Sequence, residues 1–349
     1  MRPGSFRFAV VLAGALGAFT VLVATTYDLP LRDPDGVSVK TYVRLPLILL
    51  AAILVDVVPR SVRRGRGLGS FRAGLVEVVR ERWNAAHLRF AMVGLGAWYV
   101  TYVAFRNLKS YVPFVNDRLY DDQFSVIDRF LWLGRDPADV LHTVLGTGWS
   151  AHLLSVVYVA WIAMLPASLA VALVWSRRAR ASEWYVTAVA LDWVLGVATY
   201  FALPTLGPVY ADADGFRNLP ATWVSDLQAG MIADRLDVLA DPWASDAVQT
   251  IAAFASLHVG ITVTACLMAE LLRLPRWMRL GLWLFLGLTV LSTVYWGWHY
   301  VADAVGGALL GSLSVLIAAW ATGNHVRGVP RLVEQQPQPE ASASRSRAA

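Results

Sequence analysis

The chain has 349 residues, of which 57% are hydrophobic and only 16% are charged, and its mean hydropathy is +0.51. This composition excludes an ordinary soluble protein, in which about a quarter of the residues are charged. The single cysteine, Cys266, excludes an internal disulfide and a cysteine-based metal cluster. The net charge of +5 is explained by arginines in connecting loops, so no nucleic acid is expected as a partner. The composition therefore predicts a polytopic membrane protein.

Eight apolar segments approach the length of about 20 residues that a helix needs to cross a bilayer. They fall near 7–26, 42–58, 88–105, 151–175, 183–203, 256–274, 279–297 and 299–321. The first has no convincing small-residue cleavage site and is interpreted as a helix rather than a signal peptide. The predicted fold class is all-α, a polytopic membrane bundle of about eight transmembrane helices.

Arginine residues predict the orientation of these spans. They are concentrated in the connections 59–89, 176–182 and 273–279, which lie on one side in an eight-span topology. The positive-inside rule makes that side cytoplasmic. Both termini are then cytoplasmic, and the connections 106–150 and 204–254 are extracytoplasmic. The expected location is the plasma membrane.

Three segments outside the spans have distinct compositions. Residues 106–150 carry apolar residues at helical spacing, which predicts interfacial helices. Residues 204–254 begin with a turn-rich run and continue with helical spacing from Trp223 to Trp243, which is typical of a lid or binding loop. The tail, 327–349, is rich in Pro, Gln, Ser, Ala and Arg and is expected to be disordered.

Two of the six histidines, His258 and His299, lie at the start of apolar segments, where ionisable residues are costly and usually face a cavity or a partner. The arginine pattern puts both at the extracytoplasmic face. Asp303 follows His299 by four residues and shares a helical face with it. A carboxylate there would fix the tautomer of the imidazole and leave its other nitrogen free to attack or bind. A structural hydrogen bond between helices is the alternative for the histidines.

Groups suited to an anion are predicted near the histidines. Ser256 is a candidate N-cap for the helix of His258, whose free N–H groups and positive dipole end would attract an anion. Arg106 and Lys109 follow the third span on the same side and could bind a phosphate. Contact with lipid phosphates is the alternative for these two cations.

Three stretches give the chain a resemblance to a known family. The segment 254–258 reads Phe-Ala-Ser-Leu-His, and the segment 292–303 begins with Ser and ends in the spacing His-x-x-x-Asp. Together with the proline-rich run 201–208, they resemble the type 2 phosphatidic acid phosphatase (PAP2) superfamily, specifically its inositolphosphotransferase branch, which includes the fungal inositol phosphorylceramide synthases. The resemblance covers roughly residues 90–321.

The chain departs from the family's pattern at three places. The segment 255–258 reads Ala-Ser-Leu-His where Pro-Ser-Gly-His is usual, and Thr293 stands where an arginine is usual. No intact Lys-x6-Arg-Pro motif occurs, and the nearest candidate comprises Arg106, Lys109 and Pro113. The first and third departures weaken the argument for hydrolysis, and the second is compatible with the transferase branch.

The resemblance implies a role for each candidate site residue. His299 would attack phosphorus and form a phosphohistidine, and Asp303 would orient it. His258 would protonate the leaving oxygen and then deprotonate water or an alcohol. The phosphoryl oxygens would be bound by Ser256, Arg106 and Lys109. This scheme requires no metal and no other cofactor.

The resemblance also divides the chain. Residues 90–326 would form the catalytic domain, with a six-helix PAP2-like core and residues 204–254 as its lid. Residues 1–89 would precede it as two transmembrane helices and an arginine-rich cytoplasmic loop. Residues 327–349 would follow it as a cytoplasmic tail.

The sequence favours an integral membrane phosphotransferase that acts on a phosphorylated lipid at the outer face, with an alcohol or polyol as acceptor. A lipid phosphate phosphatase of the PAP2 type is the close alternative. Asp192, near the middle of the fifth span, is interpreted as protonated or hydrogen-bonded to a neighbouring helix, and a proton or ion path is its alternative. The remaining alternatives are a transporter, and a metal-binding structural site built from His258, His299 and Asp303. No protein partner is evident.

Overall fold

The computed structural model describes residues 5–34, 41–64 and 68–333. The helices in this part of the chain are α1 (Arg7–Thr26), α2 (Thr41–Arg64), α3 (Leu68–Arg82), α4 (Ala85–Val115), α5 (Asp121–Leu131), α6 (Pro137–Leu145), α7 (Trp149–Ala170), α8 (Ala179–Ala202), α9 (Pro208–Ala211), α10 (Trp223–Ala240), α11 (Leu257–Leu271), α12 (Arg276–Tyr295) and α13 (Val301–Ala321). Helix α7 continues as a π-helical turn at Val171–Trp175, and a 3₁₀ turn follows α9 at Ala213–Phe216. The strands β1 (His325–Val326) and β2 (Val329–Pro330) pair antiparallel. The predicted all-α fold class is confirmed.

Six of these helices are long and apolar enough to cross a membrane, namely α1, α4, α7 with its π-helical turn, α8, α12 and α13. They coincide with six of the eight predicted spans. The other two predicted spans fall on α2, where several side chains lie outside the described part, and on α11, which has only 15 residues. Helix α11 packs against α8, α12 and α13, so it belongs to the membrane bundle in spite of its length.

Two of the arginine-rich connections, 59–89 and 176–182, meet at one end of the bundle. A guanidinium N–H of Arg177 donates to the carbonyl oxygen of Arg82 (3.0 Å). The side-chain amide of Asn324 donates to the carbonyl oxygen of Arg180 (3.5 Å). These bonds join two arginine-rich connections to each other and to the chain after α13. The opposite end carries α5, α6, α9 and α10 together with the starts of α11 and α13, and we call it the site end.

Helix α4 continues beyond its predicted end to Val115, so Arg106 and Lys109 lie on the helix instead of following it. Pro113 does not end the helix because it lies in the last turn, where its ring removes only the hydrogen bond to the carbonyl of Lys109. That carbonyl oxygen accepts a hydrogen bond from the side-chain amide of Gln249 instead (2.8 Å). A distant side chain therefore compensates for the proline.

The connection between α4 and α7 contains two helices, α5 and α6, where the spacing of apolar residues predicted interfacial helices. Helix α5 turns Asp121, Phe124 and Asp128 into the protein. Its exposed residues include four large apolar side chains, of which Phe130 is 81% accessible. Such an amphipathic helix at the end of a membrane bundle is typical of the membrane interface. The connection between α8 and α11 likewise contains α10 where helical spacing predicted it.

Strand β2 and the turn before it lie in the tail, 327–349, that was expected to be disordered. They are ordered because the backbone N–H of Arg331 donates to the carbonyl oxygen of the fully buried Asn324 (2.8 Å). Residues 334–349 lie outside the described residues. The predicted division of the chain into two membrane units and a tail stays a prediction.

Helices α11 and α13 approach each other through glycines. A Cβ atom at Gly307 would lie 2.2 Å from the carbonyl oxygen of Ser256, and one at Gly311 would lie 2.2 Å from that of Gly260. Gly307 and Gly311 are four residues apart and form the kind of small-residue face that lets transmembrane helices pack closely. The contact brings the starts of the two helices together at the site end.

We expect Gly311→Ala to lower stability by about 1–3 kcal/mol, because the new methyl group overlaps the backbone of α11 and forces the helices apart. Gly287→Ala, on α12, is the matched control because a Cβ atom there meets nothing within 4 Å. Thermal unfolding of the purified proteins in detergent measures both changes. Equal midpoints for the two variants would contradict the close approach of the helices.

Candidate active site

The two histidines singled out from the sequence meet at the site end. Nδ1 of His258, in the first turn of α11, lies 3.0 Å from Nε2 of His299, in the turn between α12 and α13. Nδ1 of His299 lies 3.3 Å from Oδ2 of Asp303. A carboxylate accepts the proton of Nδ1, so Nε2 of His299 carries the lone pair and Nδ1–H of His258 donates to it. The three side chains form one chain of hydrogen bonds.

The environment of His299 favours a neutral ring. The side chain is almost fully buried, and Asp303 is completely buried. Burial, together with the positive charge of Lys109, lowers the pKa of His299 to about 3. A neutral imidazole held in one tautomer is the nucleophilic form of this side chain.

The arrangement of the three side chains does not favour a metal site. His258 contacts one nitrogen of the His299 ring and Asp303 contacts the other, whereas metal ligands must surround one centre. In the part of the chain that the structure describes, no group of three or more His, Cys, Asp or Glu side chains could hold a metal ion.

Ser256 lies at the start of α11, as predicted, and ties this helix to α13. Its hydroxyl oxygen accepts a hydrogen bond from the N–H of Val259 (3.4 Å), so it is the N-cap. Its own N–H donates to the carbonyl oxygen of Asp303 (3.0 Å). Ser256 is fully buried and does not line the cavity described next, and its part in phosphate binding stays a prediction.

A cavity of 740 Å³ begins at His258 and His299 and extends through the bundle. Lys109 lines it near the histidines, and Ala91 lines it towards the opposite end. Both lie on α4, and the helical rise of 1.5 Å per residue puts them about 27 Å apart. This length is close to the thickness of a bilayer's hydrocarbon core, about 30 Å. Much of the lining is aromatic, including Trp98, Tyr102, Trp161, Trp193 and Tyr200.

The two cations predicted to bind phosphate, Arg106 and Lys109, both line this cavity. The ammonium of Lys109 lies 4.8 Å from the ring centroid of Tyr200. A guanidinium N–H of Arg106 donates to the hydroxyl of Tyr102 (3.1 Å). No salt bridge joins either cation to a carboxylate within the described residues. Both are available to an anion, and their binding of phosphate stays a prediction.

Thr293, which stands where the resembled family usually has arginine, lies outside the cavity and is fully buried. Its hydroxyl donates to the carbonyl oxygen of Val290 (3.1 Å). Its carbonyl oxygen accepts the N–H groups of Trp298 (2.9 Å) and His299 (3.3 Å). Thr293 therefore shapes the turn that carries His299 and supplies no charge to the site.

Helix α10, in the predicted lid, forms part of the cavity wall through Leu227, Met231 and Asp234. The side-chain amide of Gln228 donates to the carbonyl oxygen of Trp296, next to the turn of His299 (2.7 Å). Helix α10 therefore contacts both the cavity and the backbone that carries the histidine, and its role as a lid stays a prediction.

Two carboxylates that the sequence analysis missed lie against the same turn. Asp128 accepts the N–H groups of Val301 (2.7 Å) and Ala302 (3.1 Å). Asp121 accepts the hydroxyl of Tyr300 (3.1 Å). The only signal in the sequence is the spacing of seven residues, which puts both carboxylates on one face of a helix.

Asp192 has a partner on a neighbouring helix. The hydroxyl of Thr264, on α11, donates to its Oδ1 (3.1 Å), and both residues are fully buried. This is the interhelical hydrogen bond that the sequence analysis favoured. Asp192 does not line the cavity, so the cavity does not connect it to the histidines as a transport path would require.

Asp128 should make stability depend on pH. Burial, with smaller contributions from the charges of Asp303 and Asp136, raises the pKa of Asp128 from 3.8 to about 6. Between these values the folded protein binds a proton that the unfolded chain lacks, so the free energy of unfolding falls as the pH rises through this range. In Asp128→Asn, the free energy of unfolding should fall less as the pH rises through this range. Thermal unfolding at several pH values measures the difference. An unchanged pH dependence would contradict the raised pKa.

One family model, described as the PAP2 superfamily, matches residues 122–317, which is more than half of the chain. The matched region includes His258, His299 and Asp303 but not Arg106 or Lys109. Neither a search of curated proteins nor a search of solved structures finds a match.

Proposed function

This chain belongs to the PAP2 superfamily, and from that premise we propose that it is an integral membrane phosphotransferase acting on a phosphorylated lipid. Members of the superfamily are phosphatases and phosphotransferases, which supports an enzyme of this general type. The observation that carries the proposal is the contact of His258 with His299 at the end of a long apolar cavity. Such a cavity suits a hydrocarbon chain, and a histidine pair suits the transfer of a phosphoryl group.

In the proposed reaction, Nε2 of His299 attacks phosphorus while the bond from phosphorus to the leaving oxygen breaks. Protonated His258 gives its proton to that oxygen. Asp303 stabilises the positive ring of the phosphohistidine. An alcohol or water then attacks phosphorus and gives its proton to His258, and the bond between His299 and phosphorus breaks. A phosphoryl group must enter between the two rings, so their direct contact is lost when substrate binds.

Positive groups would stabilise the charge that develops on the phosphoryl oxygens. Arg106 and Lys109 are suited to this role because both line the cavity beside the histidines. The N–H groups at the start of α11, capped by Ser256, are the other candidates.

We propose transfer to an alcohol or polyol rather than hydrolysis. The resemblance to the inositolphosphotransferase branch supports transfer, as does the wall formed by α10, which could shelter an acceptor from water. A phosphatase is the second candidate, because the superfamily includes phosphatases. Incubation of the purified protein with labelled lipid phosphates and phosphoinositides, with and without added alcohols, separates the two. A labelled acceptor supports transfer. Label released only as inorganic phosphate from a lipid phosphate, or only as inositol phosphate from a phosphoinositide, supports hydrolysis.

We also propose that the site end is extracytoplasmic in the plasma membrane and that both termini are cytoplasmic. The concentration of arginine at the opposite end supports this orientation.

Single cysteines placed on a Cys266→Ala background test the orientation. Arg135→Cys and Asp226→Cys, at exposed positions of the site end, should react with an impermeant thiol reagent in intact cells. Arg80→Cys, exposed on α3, should be protected. The opposite labelling pattern would put the site in the cytoplasm.

The division of labour between the histidines is tested by the phosphoenzyme. His299→Ala should abolish the phosphoenzyme because the nucleophile is lost. His258→Ala should accumulate it when the leaving group is activated, because the first step then needs no general acid and the second still needs a base. The trapped species should be labile to acid and stable to alkali, and it is measured by labelling and peptide mapping.

Asp303→Asn should keep the geometry but remove the charge that stabilises the phosphohistidine, so kcat should fall strongly while substrate binding stays near normal. Label on His258 would mean that the two histidines have exchanged roles. Turnover without label in any variant would mean that the reaction is not covalent.

A further inference from the structure

Helix α5 contacts the turn between α12 and α13, residues 296–300, which carries His299 and which we call the catalytic turn. Its two buried carboxylates take no part in the proposed reaction. Asp121 is 7% exposed and Asp128 is 2% exposed. Burying a carboxylate is costly unless its oxygens are hydrogen-bonded. The partners of these two residues therefore indicate what they do.

Asp128 caps a helix to which it does not belong. Its Oδ2 accepts the N–H of Val301 (2.7 Å) and its Oδ1 accepts the N–H of Ala302 (3.1 Å). These are the first two N–H groups of α13, which have no partner within the helix itself. A negative charge at a helix N-terminus is also favoured by the helix dipole. Asp128 therefore fixes where α13 begins.

Asp121 joins the catalytic turn to the segment before α9. It accepts the N–H groups of Leu206 (2.9 Å) and Gly207 (2.9 Å). It also accepts the hydroxyl of Tyr300 (3.1 Å). Burial, reinforced by the charge of Asp121, raises the pKa of Tyr300 above its usual value, so the hydroxyl stays protonated and donates.

Tyr300 is linked directly to the residue that orients His299. The backbone N–H of Tyr300 donates to Oδ2 of Asp303 (2.9 Å), and the same oxygen lies 3.3 Å from Nδ1 of His299. A displacement of Tyr300 therefore moves the oxygen that holds the imidazole. The spacing between His299 and Asp303 permits their contact, and α5 constrains it from outside.

We propose that Asp121 and Asp128 are positioning residues for the reaction. They hold the turn at 300–302 so that Asp303 keeps His299 in the tautomer and orientation that attack phosphorus. This inference rests on the proposed phosphotransfer.

A double-mutant cycle distinguishes positioning from a purely structural role. Asp128→Asn keeps the size of the side chain but leaves one oxygen for two N–H groups. We expect kcat to fall roughly 10- to 100-fold, as for other groups that orient a catalytic side chain, with little change in KM. On an Asp303→Asn background, Asp128→Asn should lower kcat only slightly further, because the residue through which Asp128 acts is already altered.

Asp122→Asn is the matched control. Asp122 is adjacent to Asp121 on α5 but exposed, so its substitution should change neither kcat nor stability. If Asp128→Asn does not fold, Tyr300→Phe replaces it, because that change removes only the hydroxyl bonded to Asp121. It should give a smaller loss that likewise disappears on the Asp303→Asn background.

A second measurement needs no turnover. In protein labelled with ¹⁵N-histidine, the Nδ1 resonance of His299 reports its hydrogen bond to Asp303. Asp128→Asn should move this resonance in the direction that Asp303→Asn moves it, and Asp122→Asn should leave it in place.

The outcomes separate this inference from the proposed function. The positioning role would be overturned if Asp128→Asn left the His299 resonance unmoved. It would also be overturned if Asp128→Asn lowered kcat equally with and without the carboxylate of Asp303. Either result would hold even if the wild type transfers phosphoryl groups. A wild type that transfers none, together with a moved resonance, would contradict the proposed function and support the positioning of His299.

Discussion

The hydrogen bond from the N–H of Ser256 to the carbonyl oxygen of Asp303 holds the starts of α11 and α13 together, and the meeting of the histidines depends on it. His258 follows Ser256 by two residues, and His299 precedes Asp303 by four. Both rings therefore lie close to this hydrogen bond and extend into the same space. Lipid tails are as apolar as helix surfaces, so the hydrophobic effect does not drive transmembrane helices together. The helices are instead held together by close packing of their backbones at Gly307, where no side chain keeps them apart.

Near this hydrogen bond, several polar groups of the site end are bonded to partners that are distant in the sequence. The carboxylates of α5 bind the start of α13, and the amide of Gln228 binds the carbonyl oxygen of Trp296. Within a membrane an unpaired backbone group costs several kcal/mol, so an irregular turn between two spans must be enclosed by such partners. The two connections at the site end supply them, and they are therefore part of the site rather than simple links between helices.

Local and compositional features of the chain could be predicted from the sequence. Six spans were found because each is a continuous apolar segment. The contact of His299 with Asp303 was expected from a shared helical face, but His299 lies in the turn before α13 and only Asp303 lies on the helix. The shared end of His258 and His299 follows from the distribution of arginine. The contact between the two rings depends on how closely α11 approaches α13. The distance between two helices cannot be predicted from the spacing of residues along the chain.

The features that were missed depend on long-range partners. Helix α4 was predicted to end near residue 105, and the residue that compensates for Pro113 in the longer helix, Gln249, lies in another connection. Asp121 and Asp128 bind backbone N–H groups, which every residue except proline has. A carboxylate whose partner is the backbone leaves no complementary residue in the sequence, so only the packed structure identifies it.

For the proposed lipid substrate, the length of the cavity decides where the rate acceleration can come from. The tail of a lipid bound between Ala91 and Lys109 would make the same contacts in the substrate, the transition state and any product that keeps the tail. Binding energy of this uniform kind tightens the complex without lowering the barrier of the chemical step. All of the rate acceleration must then come from the few polar groups at one end of the cavity. A product that retains its tail keeps the same contacts, so it should compete with fresh substrate for the cavity.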